Sequence, residues 1–278
     1  MPHRMPHYNA ATRFDSNGRP EDEVQITWLK VIVVLLAGLV AGFVNVMAGG
    51  GSFLTLVALE FAGLPAAMAN GTNRLGVVAQ NLTGLLGFRS KGIANVRTSL
   101  QFAIPAFLGS IVGAYIVVDL PEVLFHRILA VAMIVVLFTV VFDVKKWVKI
   151  KSFEMTPRRR VLSYGVFFLI GIYGGAIQAG VGFFIIAALV MIAGQNLVIT
   201  NSYKVLIIAL LTVVALVIFI LRGQVDWLLG LVLAVGNAVG GWISSRLSVE
   251  KGEKLVKAVL AVMLSFVSLQ YLGIIPKF

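Results

Sequence analysis

No cysteine occurs anywhere in the chain, which excludes a disulfide framework, a thiolate metal site and a cysteine nucleophile. Charge is scarce as well: 13% of the residues are charged, against about one quarter in an ordinary soluble protein. Acidic residues are scarcer still, 12 Asp and Glu against 23 Lys and Arg. Of three histidines, His3 and His7 sit in a polar N-terminal stretch and His126 stands alone at the start of an apolar segment. No His-Glu-x-x-His pair, nucleophile elbow or phosphate loop accompanies them. Neither an enzyme, a bound metal nor a cofactor is therefore expected.

Apolar residues are what the chain has in excess, at 59% with a mean hydropathy of +0.96. They fall in runs of about 20, the length that spans roughly 30 Å of hydrocarbon as a helix. Alternation with a period of two is missing, which argues against a membrane barrel. The net charge of +11 does not point to nucleic acid, because the basic residues gather at the ends of apolar runs and in one linker. That distribution is the positive-inside pattern of a multi-pass membrane protein.

The expected organisation is a flexible polar tail over 1–27, a first membrane repeat over 28–144, a basic cytoplasmic linker over 145–160 and a second membrane repeat over 161–278. Apolar helices are predicted at 28–48, 52–63, 65–88, 96–118 and 122–142, then at 161–178, 182–193, 197–221, 225–245 and 250–272. Each half holds four long segments and one short one that cannot span. Residues 41–53 read AGFVNVMAGGGSF and 171–183 read GIYGGAIQAGVGF. Two long apolar runs are thus interrupted by small residues at corresponding places, about 130 residues apart. Paired broken helices are the best pointer in a sequence to a transporter site, because backbone freed within hydrocarbon must find partners in protein, water or ligand.

After each short segment a polar cluster opens a long helix: Asn70, Gly71, Thr72, Asn73 and Arg74, then Thr200, Asn201, Ser202, Tyr203 and Lys204. A charge at that depth is costly and faces a cavity or a partner. No carboxylate at matched positions pairs Arg74 or Lys204, so an anionic ligand is expected to supply the missing charge. Snorkelling to the interface is the competing explanation. Gln80, Asn81, Ser110 and Asn237 are read as contacts between helices, Pro105 as a kink, and Glu60 as a candidate for proton coupling.

The direction of the halves turns on the first short segment. If 28–63 is one broken span, the halves are parallel; if the short segment doubles back, they are inverted. Arg89, Lys91 and Arg97 make one first-half loop basic, whereas the second half collects Arg246, Lys251, Lys254 and Lys257 at its later loop. Swapped bias of this kind favours inverted repeats with a cytoplasmic linker.

The break AGFVNVMAGGGSFLTL, the helix start ANGTNRLG and the degenerate second copy QAGVGFF with ITNSYKV resemble the sulfite exporter TauE/SafE family of membrane permeases, over about residues 30–272. The resemblance implies a permease of the bacterial inner membrane exporting sulfite, sulfoacetate or a related sulfur-containing anion. It also implies a binding site made by Gly49, Gly50, Gly51 and Ser52 with Asn70, Thr72, Asn73 and Arg74, and by Gln178, Gly180 and Gly182 with Thr200, Asn201, Ser202 and Lys204. The second copy departs from the first in having Val181 where the first has Gly51. Expected partners are the anion and the lipid bilayer, with a homodimer admissible and nucleic acid excluded. The mechanism expected is secondary transport by alternating access; the rival is an anion channel or a non-transporting membrane scaffold.

Overall fold

The computed structural model describes residues 27–93, 96–121, 123–125, 127–129, 131, 156–194 and 196–271. Every regular element among them is a helix: α1 Trp28–Met47, α2 Ser52–Phe61, α3 Ala66–Ser90, α4 Val96–Val117, α5 Pro157–Ala176, α6 Val181–Ala193, α7 Leu197–Leu221 and α8 Trp227–Tyr271. Four of these are long and apolar enough to cross a membrane: α1, α4, α7 and Trp227–Gly252 of α8. The length of α3 and α5 is also sufficient, but their hydropathy is diluted, in α3 by the run from Asn70 to Arg74 and in α5 by three arginines in its first turn. Of the predicted fifth segment of the first half only 123–125, 127–129 and 131 are described, all helical; its remainder, most of the linker, residues 1–26 of the tail and His126 lie outside the described residues.

Two boundaries differ from the sequence expectation. Helix α5 begins four residues early because Thr156 caps it, its hydroxyl accepting from Arg159 N, and Pro157 occupies the first turn where its missing N–H costs nothing. In α8, the helix expected to stop at Ser245 runs on to Gly252, whose φ of 65° and ψ of −162° interrupt it. Only a residue without a Cβ takes that conformation cheaply.

The bundle is apolar on its outside. Ile32, Leu36 and Val40 of α1 and Leu231, Val235 and Val239 of α8 are exposed at four-residue spacing, the outward stripe expected of helices solvated by lipid. Polar side chains are buried instead, among them Asn45, Thr55, Asn70, Asn73, Arg74, Gln80, Thr200, Asn201 and Lys204.

Neighbouring helices approach through small residues. Carbonyls of α1 lie where side chains on Gly236 and Gly240 of α8 would stand, and carbonyls of α4 meet Gly171 and Gly175 of α5 in the same way. Such close backbone contact substitutes for the hydrophobic drive that lipid removes. Helix α8 packs on both α1 and α3, whereas α4 packs on both α5 and α7, so each half's fourth helix docks into the other half.

The contacts also fix direction. Gly38 meets Leu233 and Gly42 meets Asn237, while Gly76 meets Leu233 and Gly87 meets Ser245. Both α1 and α3 therefore run alongside α8 in the same sense, and α2 doubles back between them. By contrast, Gly71 meets Phe219, Gly84 meets Val205, and Ser202 Oγ donates to Ile93 O at 3.2 Å. Helices α3 and α7 are thus antiparallel.

Candidate functional site

The two breaks meet at the centre of the bundle. Gly49, at φ 101°, lies so close to Gly182 that a Cβ on it would stand 2.6 Å from the Gly182 backbone, and a Cβ on Gly50 would strike the Phe183 ring at 2.5 Å. The glycine run is required for this approach. Gly51 precedes α2 against the Ala41 backbone, and Gly180 turns into α6 at φ 76°. Helices α2 and α6 have 10 and 13 residues, or about 15 and 20 Å at 1.5 Å per residue. Both are too short to span.

A helix that stops inside the bundle leaves carbonyls without partners and a negative dipole end. Arg74 serves the end of α5. Its Nη1 donates to Gly174 O at 3.1 Å and to Gln178 Oε1 at 3.3 Å; its Nη2 donates to Gly175 O at 2.6 Å and Ala176 O at 3.1 Å. The guanidinium also lies over the Phe219 ring, 4.5 Å from its centre. Asn70 Nδ2 adds a bond to Ala176 O at 2.8 Å.

Lys204 does the same for α1. Its Nζ donates to Asn45 O and Val46 O, both at 2.9 Å, and to Asn201 Oδ1 at 2.8 Å, while Asn201 Nδ2 reaches Met47 O at 2.8 Å. Each half therefore lends a cation and an asparagine to the helix end of the other. The partner that the sequence leaves open for these cations is, in this conformation, a set of backbone carbonyls. Both side chains have no exposed surface, so neither snorkels to the interface.

Gln178 is held where few residues other than glycine sit, at φ 67°. Such a conformation costs of order 1–3 kcal/mol and persists only where the surroundings enforce it. Here Arg74 Nη1 and Thr212 Oγ1, the latter at 3.2 Å, both donate to Gln178 Oε1.

Around the first break runs a polar chain drawn from α1, α2 and α3. Ser52 N donates to Asn45 Oδ1 at 3.1 Å, which caps α2, and Asn45 Nδ2 donates to Ser52 Oγ at 3.1 Å and Gln80 Oε1 at 3.3 Å. Thr55 Oγ1 donates to Asn73 Oδ1 at 2.6 Å. Sequence reasoning missed Asn45 and Thr55 as members of this group and took Gln80 as a packing contact. The available signal was Asn45 and Ser52 flanking the three glycines.

Not every polar atom is satisfied. Asn70 Oδ1, Asn73 Nδ2, Arg74 Nε and Thr200 Oγ1 are buried with no hydrogen-bond partner. The expected residues Asn70, Arg74 and Gln178 come together at the end of α5, Asn73 meets Thr55 of α2, and Asn201 and Lys204 meet at the end of α1. Thr72 and Ser202 do not join either group, since Thr72 Oγ1 accepts from Asp226 N and Ser202 Oγ bonds the turn after α3. Glu60 is half-buried near the end of α2. Among the described residues no three His, Asp or Glu side chains gather as a metal site.

Residues 34–271 match the family model described as Sulfite exporter TauE/SafE. The chain belongs to the TauE/SafE family. A probable membrane transporter protein of Haemophilus influenzae is 28% identical over 236 residues, covering 83% of this chain and 90% of that one. The probable membrane transporter protein YfcA of Escherichia coli K12 is 28% identical over 247 residues, covering 86% and 88%. The probable membrane transporter protein ORF9 of a Sinorhizobium species is 26% identical over 235 residues, covering 83% and 87%. No solved structure matches. These relatives carry the transporter description over nearly their whole length, and the apolar outer face of this TauE/SafE chain is that of a membrane protein.

Proposed function

We propose that the protein is a secondary transporter of the bacterial inner membrane that exports a small sulfur-containing anion, such as sulfite or an organosulfonate, by alternating access. Two inverted repeats would build it, a reading supported by α2 doubling back and by the antiparallel course of α3 and α7. The observation that carries the anion assignment is the group of buried donors left without acceptors beside two buried cations: Asn73 Nδ2, Arg74 Nε and Thr200 Oγ1. A buried polar group without a partner costs about 1–3 kcal/mol. An oxyanion, which only accepts, would relieve such a donor and add a counter-charge to the cation beside it, at the α5 end for Arg74 or at the α1 end for Lys204. Gly49 to Ser52 and Gly180 to Gly182 would let it approach the backbone between the halves.

The test is sulfite binding followed by flux. Purified protein should gain thermal stability with sulfite or sulfoacetate, because a ligand of the folded state stabilises by mass action. Proteoliposomes should then show saturable, gradient-dependent anion flux. Flux that never saturates would identify a channel, and no flux of any anion with no thermal shift would leave a scaffold.

A further inference from the structure

The turns that follow α3 and α7 are built alike. Each has a glycine at positive φ, Gly92 at 74° and Gly223 at 67°, and each closes by an amide bond back across the helix end, Ile93 N to Phe88 O and Gln224 N to Phe219 O. What they rest on differs. The carbonyl of Gln224 lies directly on α3 at Gly71, where a Cβ would come within 1.9 Å of it. The carbonyl of Ile93 meets α7 at Ser202, whose hydroxyl holds it at the end of a side chain, 3.2 Å from Oγ.

The Gln224 turn is fastened at three further points. Asp226 N donates to Thr72 Oγ1 at 2.9 Å, Gln224 Nε2 donates to Val118 O at 2.8 Å, and Arg222 pairs with Asp119 at 3.2 Å. Beside the Ile93 turn, an open groove of about 850 Å³ remains, lined by Arg89, Ile93, Val96, Asn196, Ile199 and Tyr203 among others. Tyr203 is 6% exposed and its residue neighbour along α7 is Lys204. Because α3 and α7 are antiparallel, the seal and the groove lie at opposite ends of the pair.

We propose that this groove is the open vestibule through which the anion reaches the helix breaks, and that the Gly223–Asp226 turn is the gate closing the matching vestibule at the opposite face. The assignment of an anion rests on the transporter reading above; the gate does not. Opening at Gly71 and closing at the groove are then coupled motions of one bundle, with Arg89 the cation that meets the anion first.

The absence of cysteine makes single-cysteine reporters clean. Val118→Cys, at a residue that holds the turn through its backbone carbonyl alone, reports on the sealed end and Ile199→Cys on the groove, each in full-length protein in oriented membrane vesicles treated with a membrane-impermeant thiol reagent. Ile199→Cys should react from one side and Val118→Cys from neither. Adding Gly71→Ala, which pushes Gln224 O away, should raise Val118→Cys labelling from the opposite side by about tenfold or more and slow Ile199→Cys, as a population shift requires. Asp119→Asn, a surface change that only loosens the turn, should act in the same direction if Gly71→Ala fails to fold. Unchanged labelling, or both sites speeding up together as in a leak, would overturn the gate. Sulfite is then added to the Ile199→Cys vesicles: protection supports anion entry through the groove. Lack of protection with reciprocal labelling intact overturns the anion assignment and leaves the gate standing.

Discussion

Replacing Arg74 by glutamine removes the one side chain that serves three backbone carbonyls at the end of α5 and also holds Gln178 in its left-handed conformation. Hydrogen bonds to charged groups contribute about 1.5–3 kcal/mol each. A glutamine amide can restore at most two of the four, and removing the charge also removes its desolvation cost. Two unrestored bonds, offset in part by that desolvation, put the net loss at roughly 3–5 kcal/mol. At about 2–4 °C per kcal/mol for chains of this size, unfolding of the purified protein in detergent should come roughly 6–20 °C lower. Arg74→Lys should recover part of this, since an ammonium has three donors but lacks the planar fork. An unchanged unfolding temperature for Arg74→Gln would refute the helix-end role. Lower stability with wild-type sulfite affinity in the folded fraction would leave Arg74 a cap and remove it from the anion site.

Lys204→Gln should behave like Arg74→Gln but more mildly, because Nζ makes three hydrogen bonds where the guanidinium makes four; paired thermal melts of the two variants check the order. Gly49→Ala should fail to accumulate or should melt far below wild type, since both its φ and the Gly182 backbone oppose a Cβ, whereas Gly92→Ala meets open space and should cost only about 1–2 kcal/mol for its φ. Asn45→Ala should cost about 1 kcal/mol through the lost cap on Ser52 N, read as a small shift of the same melt. Asn73→Ala should weaken sulfite binding several-fold by removing an unsatisfied donor, measured by titration calorimetry against wild type.

The helices were legible in the sequence because lipid imposes a simple rule: apolar runs of a set length become helices, and glycine clusters interrupt them. Seven described elements follow the predicted segments to within a few residues, and α8 joins the last two predicted segments across the interruption at Gly252. The main departures, at Pro157 and Gly252, come from capping and backbone conformation, which hydropathy does not register. Arg74 and Lys204 stood out as buried cations because cost at depth can be read from position alone. Their acceptors could not be read that way. Backbone carbonyls carry no sequence label, and the ones in question lie 100 residues from Arg74 and 159 from Lys204, in the other half. Asn45 and Thr55 escaped notice for a related reason: a lone polar residue in an apolar run is ambiguous until its neighbours in space are known.

The exchange of helix ends between halves has a consequence for biogenesis. Arg74 leaves the ribosome before Gly174, its acceptor 100 residues later in the chain. At about 5–20 residues per second of synthesis, the guanidinium waits some 5–20 s without the carbonyls that will hold it, in or beside a bilayer where an unpaired arginine is disfavoured by about 2.5–3.5 kcal/mol on insertion scales. Lys204 has no such interval, since Asn45 and Val46 are already in place when it emerges. The nascent first half is accordingly the vulnerable stage of this protein's life. A chain that stalls between the two halves would keep this charge without the carbonyls that hold it.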